Sequence, residues 1–327
     1  MSEFYNYDMR FPELVVEILE HFMNNVNVTI GEFVAKDKRK NPDGSCAVAH
    51  YVVVRICNKL YDNNILHLNC RGGVMDLHTS YSFKCIDKVN WENNRQMKIH
   101  YYNSIVYGFD YIRRYYTDKV LPIIAYQEDG TPSMGTAFRF FKGLITARHC
   151  VQDGSKISIQ GYSAEQLKSF PVYISSNPYI DVAYIRTGEH TDVYMEEPNV
   201  LDDVLVMGYP NIPRFFNFCT AEKATISSKA ELRLTPTTGC IAAIAKEMGT
   251  YKDTQLMLVT AKIKGGNSGG PVINKYGSIV GVAFSAPISE GCGYDDLGYG
   301  VATPIQILQN IIQDNNILKI NFVDFQE

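Results

Sequence analysis

The chain lacks the segments that carry proteins into or across membranes. In its 327 residues, no stretch approaches the roughly 20 consecutive apolar residues that a membrane-spanning helix needs. The first residues, MSEFYNYDMRF, are polar and acidic, without the basic start and apolar segment of a signal peptide. We therefore expect a cytoplasmic protein with no membrane partner, unless a leader is missing from the sequence.

The sequence also lacks the traits of a small disulfide-bonded protein. Its eight cysteines are even in number, but a chain of this length with 46% hydrophobic residues can bury its cores without cross-links. In a reducing cytosol we expect these thiols to be free.

Metal ligands are sparse outside one stretch, where NILHLNC supplies His67 and Cys70, with His78 and Cys85 downstream. Side chains alternate along a strand, so His67 and Cys70 fall on opposite faces. Cys70 shares the inward face with two leucines, which predicts a small core residue. We expect no metal site and no other cofactor.

The first 96 residues predict three helices followed by a β-hairpin. FPELVVEILEHF, residues 11–22, has helical spacing of apolar residues, and a second short helix is expected at about 28–35. Ser45 can cap a third helix that runs to Leu60. NILHLNC and DLHTSYSFKCI, separated by RGGVM, predict the two strands. This order is typical of a winged-helix-like module, a fold that binds either DNA or protein.

The first 118 residues lack the charge excess of a nucleic-acid-binding module. They hold 14 Lys plus Arg and 14 Asp plus Glu, a net charge of zero. A dedicated DNA binder usually carries a basic stripe, and the basic run here comprises Lys36, Lys38, Arg39 and Lys40. We interpret this run as a solvated loop. A regulatory or docking protein partner is therefore favoured for residues 1–118, and DNA binding stays open.

Residues 97–118 predict a linker helix rich in tyrosine, although Gly108 weakens its middle. The expected domains are thus a winged-helix-like regulatory or docking domain at 1–96, the linker helix at 97–118 and a separate domain at 119–327.

The most informative run of the chain is GGNSGGPV, residues 265–272, in which Ser268 stands between glycines. A serine hydroxyl attacks a carbonyl when a neighbouring base takes its proton and hydrogen-bond donors stabilise the resulting oxyanion. Candidates for the base and its partner lie upstream: His149 in TARHC and Asp181 in NPYIDVAYI. The order His, Asp, Ser is that of the chymotrypsin type of triad and differs from the subtilisin and α/β-hydrolase orders.

Residues from about 119 to the C-terminus resemble the trypsin-like, chymotrypsin-fold serine peptidases in their HtrA-like style. The matching segments are MGTAF (134–138), LITARHC (144–150), IDVAYI (180–185), GGNSGGPVIN (265–274) and LGYGVATPIQIL (297–308). The resemblance implies an all-β double barrel with a closing helix, so the expected fold class is α+β overall. It also implies a serine endopeptidase that cuts protein or peptide substrates.

The same resemblance assigns roles to individual residues. His149 would be the general base and then the general acid, and Asp181 would orient it. Ser268 would be the nucleophile, and the N–H groups of Gly266 and Ser268 would form the oxyanion hole. Asn267 stands where secreted relatives of the family carry an Asp that pairs with a new N-terminus, so activation by N-terminal trimming is not expected. Met134 replaces the usual disulfide partner of the cysteine after the histidine, so that cysteine should be a free thiol.

The substrate pocket is less defined. By resemblance, Lys262 and Lys264 lie just before the nucleophile, and Ala283 and Phe284 lie on the strand after it. The lysines could attract an acidic P1 side chain, or point to solvent and leave an apolar pocket. A rival for the whole protein is a catalytically inert protease fold that acts as a scaffold or associates with DNA.

Overall fold

The computed structural model describes residues 10–23, 28–84, 94–152, 156–210, 232–245, 254–284 and 298–325. The chain divides into two compact units, Met1–Ile112 and Arg113–Glu327. This division falls inside the predicted linker helix. The domain boundaries expected at residues 96 and 118 stay predictions.

The first unit contains the predicted sequence of three helices and a hairpin. The helices are α1 (Leu14–Met23), α2 (Ile30–Lys36) and α3 (His50–Asp62), and the antiparallel strands are β1 (Leu66–Cys70) and β2 (Ser80–Phe83). Apolar side chains of all five elements form one buried cluster, as amphipathic helices require. The winged-helix arrangement itself stays a prediction.

Two sequence-based predictions in this unit are wrong. Ser45 caps no helix, because its backbone N–H and its hydroxyl both donate to Asp43 Oδ1, at 2.9 and 2.6 Å. Helix α3 begins five residues later, after Ala49, which makes no side-chain capping bond. Cys70 is exposed rather than buried, because the pairing register of β1 shifts between Leu68 and Cys70 and interrupts the alternation of faces.

The predicted linker helix is present as α4 (Arg95–Tyr116), which is broken at Gly108. That glycine has φ 63° and ψ −150°, a left-handed conformation that interrupts the helical backbone. Within the residues that the structure describes, no helix is long and apolar enough to cross a bilayer, and no group of three or more His, Cys, Asp or Glu residues could hold a metal ion.

The described part of the second unit contains two β-structures and three short helices. Seven strands form one sheet in the order β15-β7-β8-β5-β4-β3-β6. They are β3 (Val120–Tyr126), β4 (Pro132–Phe140), β5 (Gly143–Thr146), β6 (Lys156–Ile159), β7 (Val172–Ile174), β8 (Ala183–Ile185) and β15 (Asn316–Leu318). Helix α5 (Arg148–Gln152) lies between β5 and β6 in the chain, and helix α6 (Ala164–Ser169) lies between β6 and β7.

Six further strands close into a barrel in the order β10-β11-β14-β13-β12-β9. They are β9 (Asp203–Gly208), β10 (Thr235–Ala245), β11 (Leu256–Val259), β12 (Pro271–Asn274), β13 (Ile279–Phe284) and β14 (Gly300–Pro304), and helix α7 (Ile307–Asp314) follows. The sheet and the closed barrel together form the expected chymotrypsin-like double barrel with its closing helix. The predicted fold class is confirmed for this region.

Each half of the double barrel has its own apolar core. Strands β5 and β13 are buried along their whole length. The sequence of β13 is apolar throughout, and the polar residue of β5, Thr146, donates its hydroxyl to Thr136 O. Buried strands of this kind hold the segments at their ends. Helix α5 begins two residues after β5, and the glycine-rich segment Gly265–Gly270 directly precedes β12.

Candidate active site

His149 and Asp181 form a tightly hydrogen-bonded pair. The backbone N–H of His149 donates to Asp181 Oδ1 at 2.9 Å, and its ring Nδ1 lies 2.6 Å from Asp181 Oδ2. Both oxygens of one carboxylate thus hold the histidine, one through its backbone and one through its ring. A carboxylate accepts hydrogen bonds, so it favours the tautomer with the proton on Nδ1. In the neutral ring, Nε2 is then the basic nitrogen.

The surroundings of His149 determine its basicity. Burial lowers the pKa of the imidazole, but hydrogen bonding and charge from Asp181, together with Cys150, outweigh burial and raise the pKa above its usual value. A ring held next to a carboxylate therefore accepts a proton more readily than a free histidine does.

The segment before Asp181 is anchored to the closing helix. Oδ2 of Asp314 on α7 accepts bonds from the Ser175 hydroxyl, the Ser176 N–H and the Ser176 hydroxyl, at 3.0, 2.9 and 3.1 Å. These hydrogen bonds lower the pKa of the Asp314 carboxyl, and the bond from the Ser176 backbone N–H has the largest effect. The segment then turns through a bond from Ile180 N to Asn177 O at 3.2 Å. The closing helix thus supports the residue that orients His149.

Ser268 lies on a tight double turn. Asn267 N donates to Lys264 O, and Gly270 N donates to Asn267 O, both at 2.9 Å. Gly266 and Gly269 have φ angles of 96° and 85°, a region that residues with a Cβ rarely adopt. Asn267 and Ser268 are 2% and 3% exposed, so the turn lies against the protein core.

Contacts from the sheet bring this turn beside the histidine helix. The carbonyl of Ser268 accepts the Thr136 N–H at 2.8 Å and the thiol of Cys150, the residue after His149, at 3.6 Å. Cys150 is buried and free, as predicted. A side chain at Gly135 would place its Cβ 2.5 Å from Cys150 Sγ. The absence of a side chain there therefore lets strand β4 approach helix α5.

Sequence comparison agrees with this arrangement. Residues 135–282, which include the histidine pair and the serine turn, match the family described as the trypsin-like peptidase domain. This region is a trypsin-like serine peptidase domain.

The relatives of this peptidase domain include longer proteins. The chain is 28% identical over 164 residues to the uncharacterized protein y4bJ of Sinorhizobium fredii, covering 49% of this chain and 23% of that protein. It is 26% identical over 179 residues to a probable periplasmic serine endoprotease, DegP-like, of Chlamydia pneumoniae, covering 54% of this chain and 33% of the relative. The chain thus spans a third or less of the length of these two relatives.

Solved structures of proteases match part of the chain. The Rv3671c protease from M. tuberculosis, in its active form, superposes with a TM-score of 0.46 at 20% identity. The match covers 64% of this chain and 86% of that one.

The residues predicted to line the substrate pocket of the peptidase domain lie in two environments. Lys262 and Lys264 are exposed, and Ile263 between them is buried in the barrel core. Ala283 belongs to the same core, and Phe284 packs in a smaller cluster on the barrel. The backbone carbonyl of Ala283 accepts from Gly269 N at 2.7 Å, so strand β13 holds the serine turn. Their role in binding substrate stays a prediction.

Sequence reasoning missed two residues that hold the peptidase site together. Thr136 binds the serine turn from strand β4, and Asp314 binds the segment before Asp181. Thr136 lies inside the motif MGTAF, so the sequence held a local sign that this residue matters. Asp314 lies in no such motif, and its partners are more than 130 residues away in the chain.

Proposed function

We propose that this protein is a serine endopeptidase that cleaves protein or peptide substrates through an acyl-enzyme. The observation that carries the proposal is the bidentate hold of Asp181 on His149, next to the buried turn that contains Gly266 and Ser268. Together these elements could supply base, nucleophile and oxyanion donors.

The proposed reaction follows from these groups. Nε2 of His149 takes the proton of the Ser268 hydroxyl as its oxygen attacks the scissile carbonyl carbon. The N–H groups of Gly266 and Ser268 bind the oxyanion of the tetrahedral intermediate. The imidazolium, stabilised by Asp181, gives its proton to the leaving amine, and water then hydrolyses the acyl-serine by the same steps.

Cleavage of an unstructured protein such as β-casein tests this proposal. The native chain should cut it, and Ser268→Ala should reduce cleavage to the level of the buffer. Ser278→Ala is a matched control, since Ser278 is also buried in this unit and lies outside the proposed site. Equal cleavage by native protein and Ser268→Ala would assign the activity to a contaminant.

For the first unit we propose a regulatory or docking role toward a protein partner. The support is charge: Arg39, in the basic run, pairs with Glu17 and with Asp37 at 3.5 Å, which neutralises one of the four cations. DNA binding is the second possibility. If phosphate contacts were made by this run, duplex affinity would fall steeply with added salt, and binding unaffected by salt would argue against them.

For the substrate we propose a P1 residue that is not basic. The exposed ammonium groups of Lys262 and Lys264 disfavour a cation nearby, and the buried Ala283 and Phe284 carry no negative charge that would attract one. Both an acidic and an apolar P1 side chain fit this description. A peptide library decides between them, and cleavage after Arg or Lys would contradict both.

We also propose a cytoplasmic location. Its support is the state of the cysteines, because Cys46, Cys57, Cys70, Cys150 and Cys240 are all free, as expected in a reducing compartment. Cell fractionation combined with a thiol-labelling reagent tests the cytoplasmic location. Recovery of the protein in an oxidising compartment would overturn this proposal.

A further inference from the structure

Thr136, on strand β4, makes four hydrogen bonds at the base of the serine turn. Its hydroxyl donates to Gly266 O at 2.7 Å and accepts from Tyr209 N at 3.0 Å. Its backbone N–H donates to Ser268 O at 2.8 Å, and its carbonyl accepts the Thr146 hydroxyl at 2.7 Å. The residue has no exposed surface, so water cannot replace these bonds.

These bonds hold the serine turn at two carbonyls. Gly266 O and Ser268 O belong to the same two residues whose N–H groups would form the oxyanion hole. The carbonyl of Gly266 limits rotation about ψ of that glycine, the residue at φ 96°. Glycine alone is too permissive to keep such a conformation. The N–H of Gly266 belongs to the preceding peptide, so a bond to the carbonyl acts on that N–H through the Gly266 Cα, by limiting the backbone angles of this glycine.

The direction of the Thr136 hydroxyl is itself determined. Tyr209 N–H donates to the oxygen, which occupies a lone pair and leaves the hydroxyl proton for Gly266 O. Tyr209 directly follows Gly208, where an added Cβ would lie 2.8 Å from Asn267 Oδ1 and 3.0 Å from Thr136 Oγ1. The end of strand β9 thus packs under the turn without a side chain between them.

We propose that Thr136 is a positioning residue of the oxyanion hole, because its hydroxyl holds the Gly266 carbonyl and so keeps this glycine at the backbone angles that direct its N–H toward the oxyanion. This inference rests on the proposed peptidase function. It explains why a hydroxyl stands inside the otherwise apolar strand end Gly135–Phe138. Loss of the hydroxyl would remove the bonds to Gly266 O and Tyr209 N–H, and a turn of the Gly266–Asn267 peptide in response would change the backbone angles of Gly266.

The first test compares Thr136→Val, which keeps the shape and removes the hydroxyl, with Thr136→Ser, which keeps the hydroxyl. In Thr136→Val we expect kcat to fall roughly 10- to 100-fold, less than the 10²–10³ that loss of an oxyanion donor costs, with little change in KM. Thr136→Ser should restore most of kcat. Binding of a peptide aldehyde, which forms a tetrahedral oxyanion with the serine, should weaken in parallel with kcat.

Thr303→Val is the matched control. Thr303 is also buried in this unit, and its hydroxyl has no hydrogen-bond partner within the described residues. Its removal should leave kcat and aldehyde affinity unchanged. If Thr136→Val keeps native kcat, or if Thr136→Ser is as impaired as Thr136→Val, the proposal is wrong.

A second measurement separates this inference from the proposed function. In protein labelled with ¹⁵N-glycine, the Gly266 amide resonance should shift and exchange faster with solvent in Thr136→Val than in native protein or Thr303→Val. This readout needs no catalysis. If Thr136→Val changes the Gly266 amide resonance but the native chain hydrolyses no substrate, Thr136 does position Gly266 and the proposed peptidase function is wrong. If the resonance is unchanged, the positioning role of Thr136 is wrong, whatever the activity of the chain.

Discussion

At the scale of single residues, the candidate site depends on one carboxylate that makes two bonds. Asp181 holds both the backbone and the ring of His149, and with Cys150 it overcomes the effect of burial to raise the pKa of the histidine. The reaction needs the neutral imidazole. Activity should therefore fall as the pH drops through this raised pKa, above the ordinary value of about 6.5.

Asp181→Asn should move the acid limb of the pH profile of kcat/KM to lower pH, because burial then lowers the pKa of His149 without the opposing charge of Asp181. The rate itself should fall by about 10⁴, since an amide can stabilise the wrong tautomer. NMR titration of the His149 ring measures the pKa where the rate is too low. Asp192→Asn, which removes the carboxylate next to the exposed His190, is the control. A His149 pKa that is equal in both variants would contradict this account.

Asn267 gives a second prediction for a single residue. It is 2% exposed, and its Oδ1 accepts no hydrogen bond in the described part of the chain. Asn267→Asp would place a charge there, and an unpaired buried charge should destabilise the unit by about 3 to 5 kcal/mol. Burial raises the pKa of such a carboxyl, so the folded state binds the proton more tightly than the unfolded state does. The loss of stability caused by Asn267→Asp should therefore become smaller as the pH falls toward 4.

Urea unfolding at pH 7 and pH 4.5 tests the effect of Asn267→Asp. Asn310→Asp, at an exposed position of α7, changes the net charge equally and should have little effect. A loss of stability in Asn267→Asp that does not depend on pH would show that packing, rather than charge, is the cause.

At the scale of elements, the contact between strand β4 and helix α5 has no room for another atom. An alanine at position 135 would place its Cβ 2.5 Å from Cys150 Sγ. Gly135→Ala should therefore destabilise the second unit by about 1 to 3 kcal/mol and lower kcat by displacing the residue next to His149. Cys150→Ala should recover much of both losses in the double variant. If the two substitutions are additive in unfolding and kinetics, this contact does not position the histidine.

The elements also show where sequence reasoning succeeds and fails. His149, Asp181 and Ser268 could be proposed as site residues because each stands in a short motif after or before an apolar strand; the structure joins His149 to Asp181, and the catalytic roles of all three stay predictions. The start of α3 was misplaced because Asp43 competes for Ser45, and the exposure of Cys70 depends on a register shift that alternation alone does not reveal. The bond of Thr136 to Gly266 and that of Asp314 to Ser176 join segments more than 100 residues apart, so local patterns could not predict them.

At the scale of the whole molecule, two units with separate cores share one chain. If the first unit recruits a partner, a chain shortened to residues 109–327, starting after the break at Gly108, should hydrolyse short peptides at the rate of the full chain. It should lose cleavage of the protein substrate in cells, which proteomics of new N-termini can measure. Equal cleavage of cellular proteins by both chains would contradict a targeting role for the first unit.

The central claim is that Ser268 is a nucleophile activated by His149 and supported by oxyanion donors. The most direct measurement is reaction with a fluorophosphonate, followed by peptide mapping. The account predicts a single adduct on Ser268, none in Ser268→Ala, and much slower labelling in Asp181→Asn. Native protein that stays unlabelled, with and without its partners, or an adduct on another residue would contradict it.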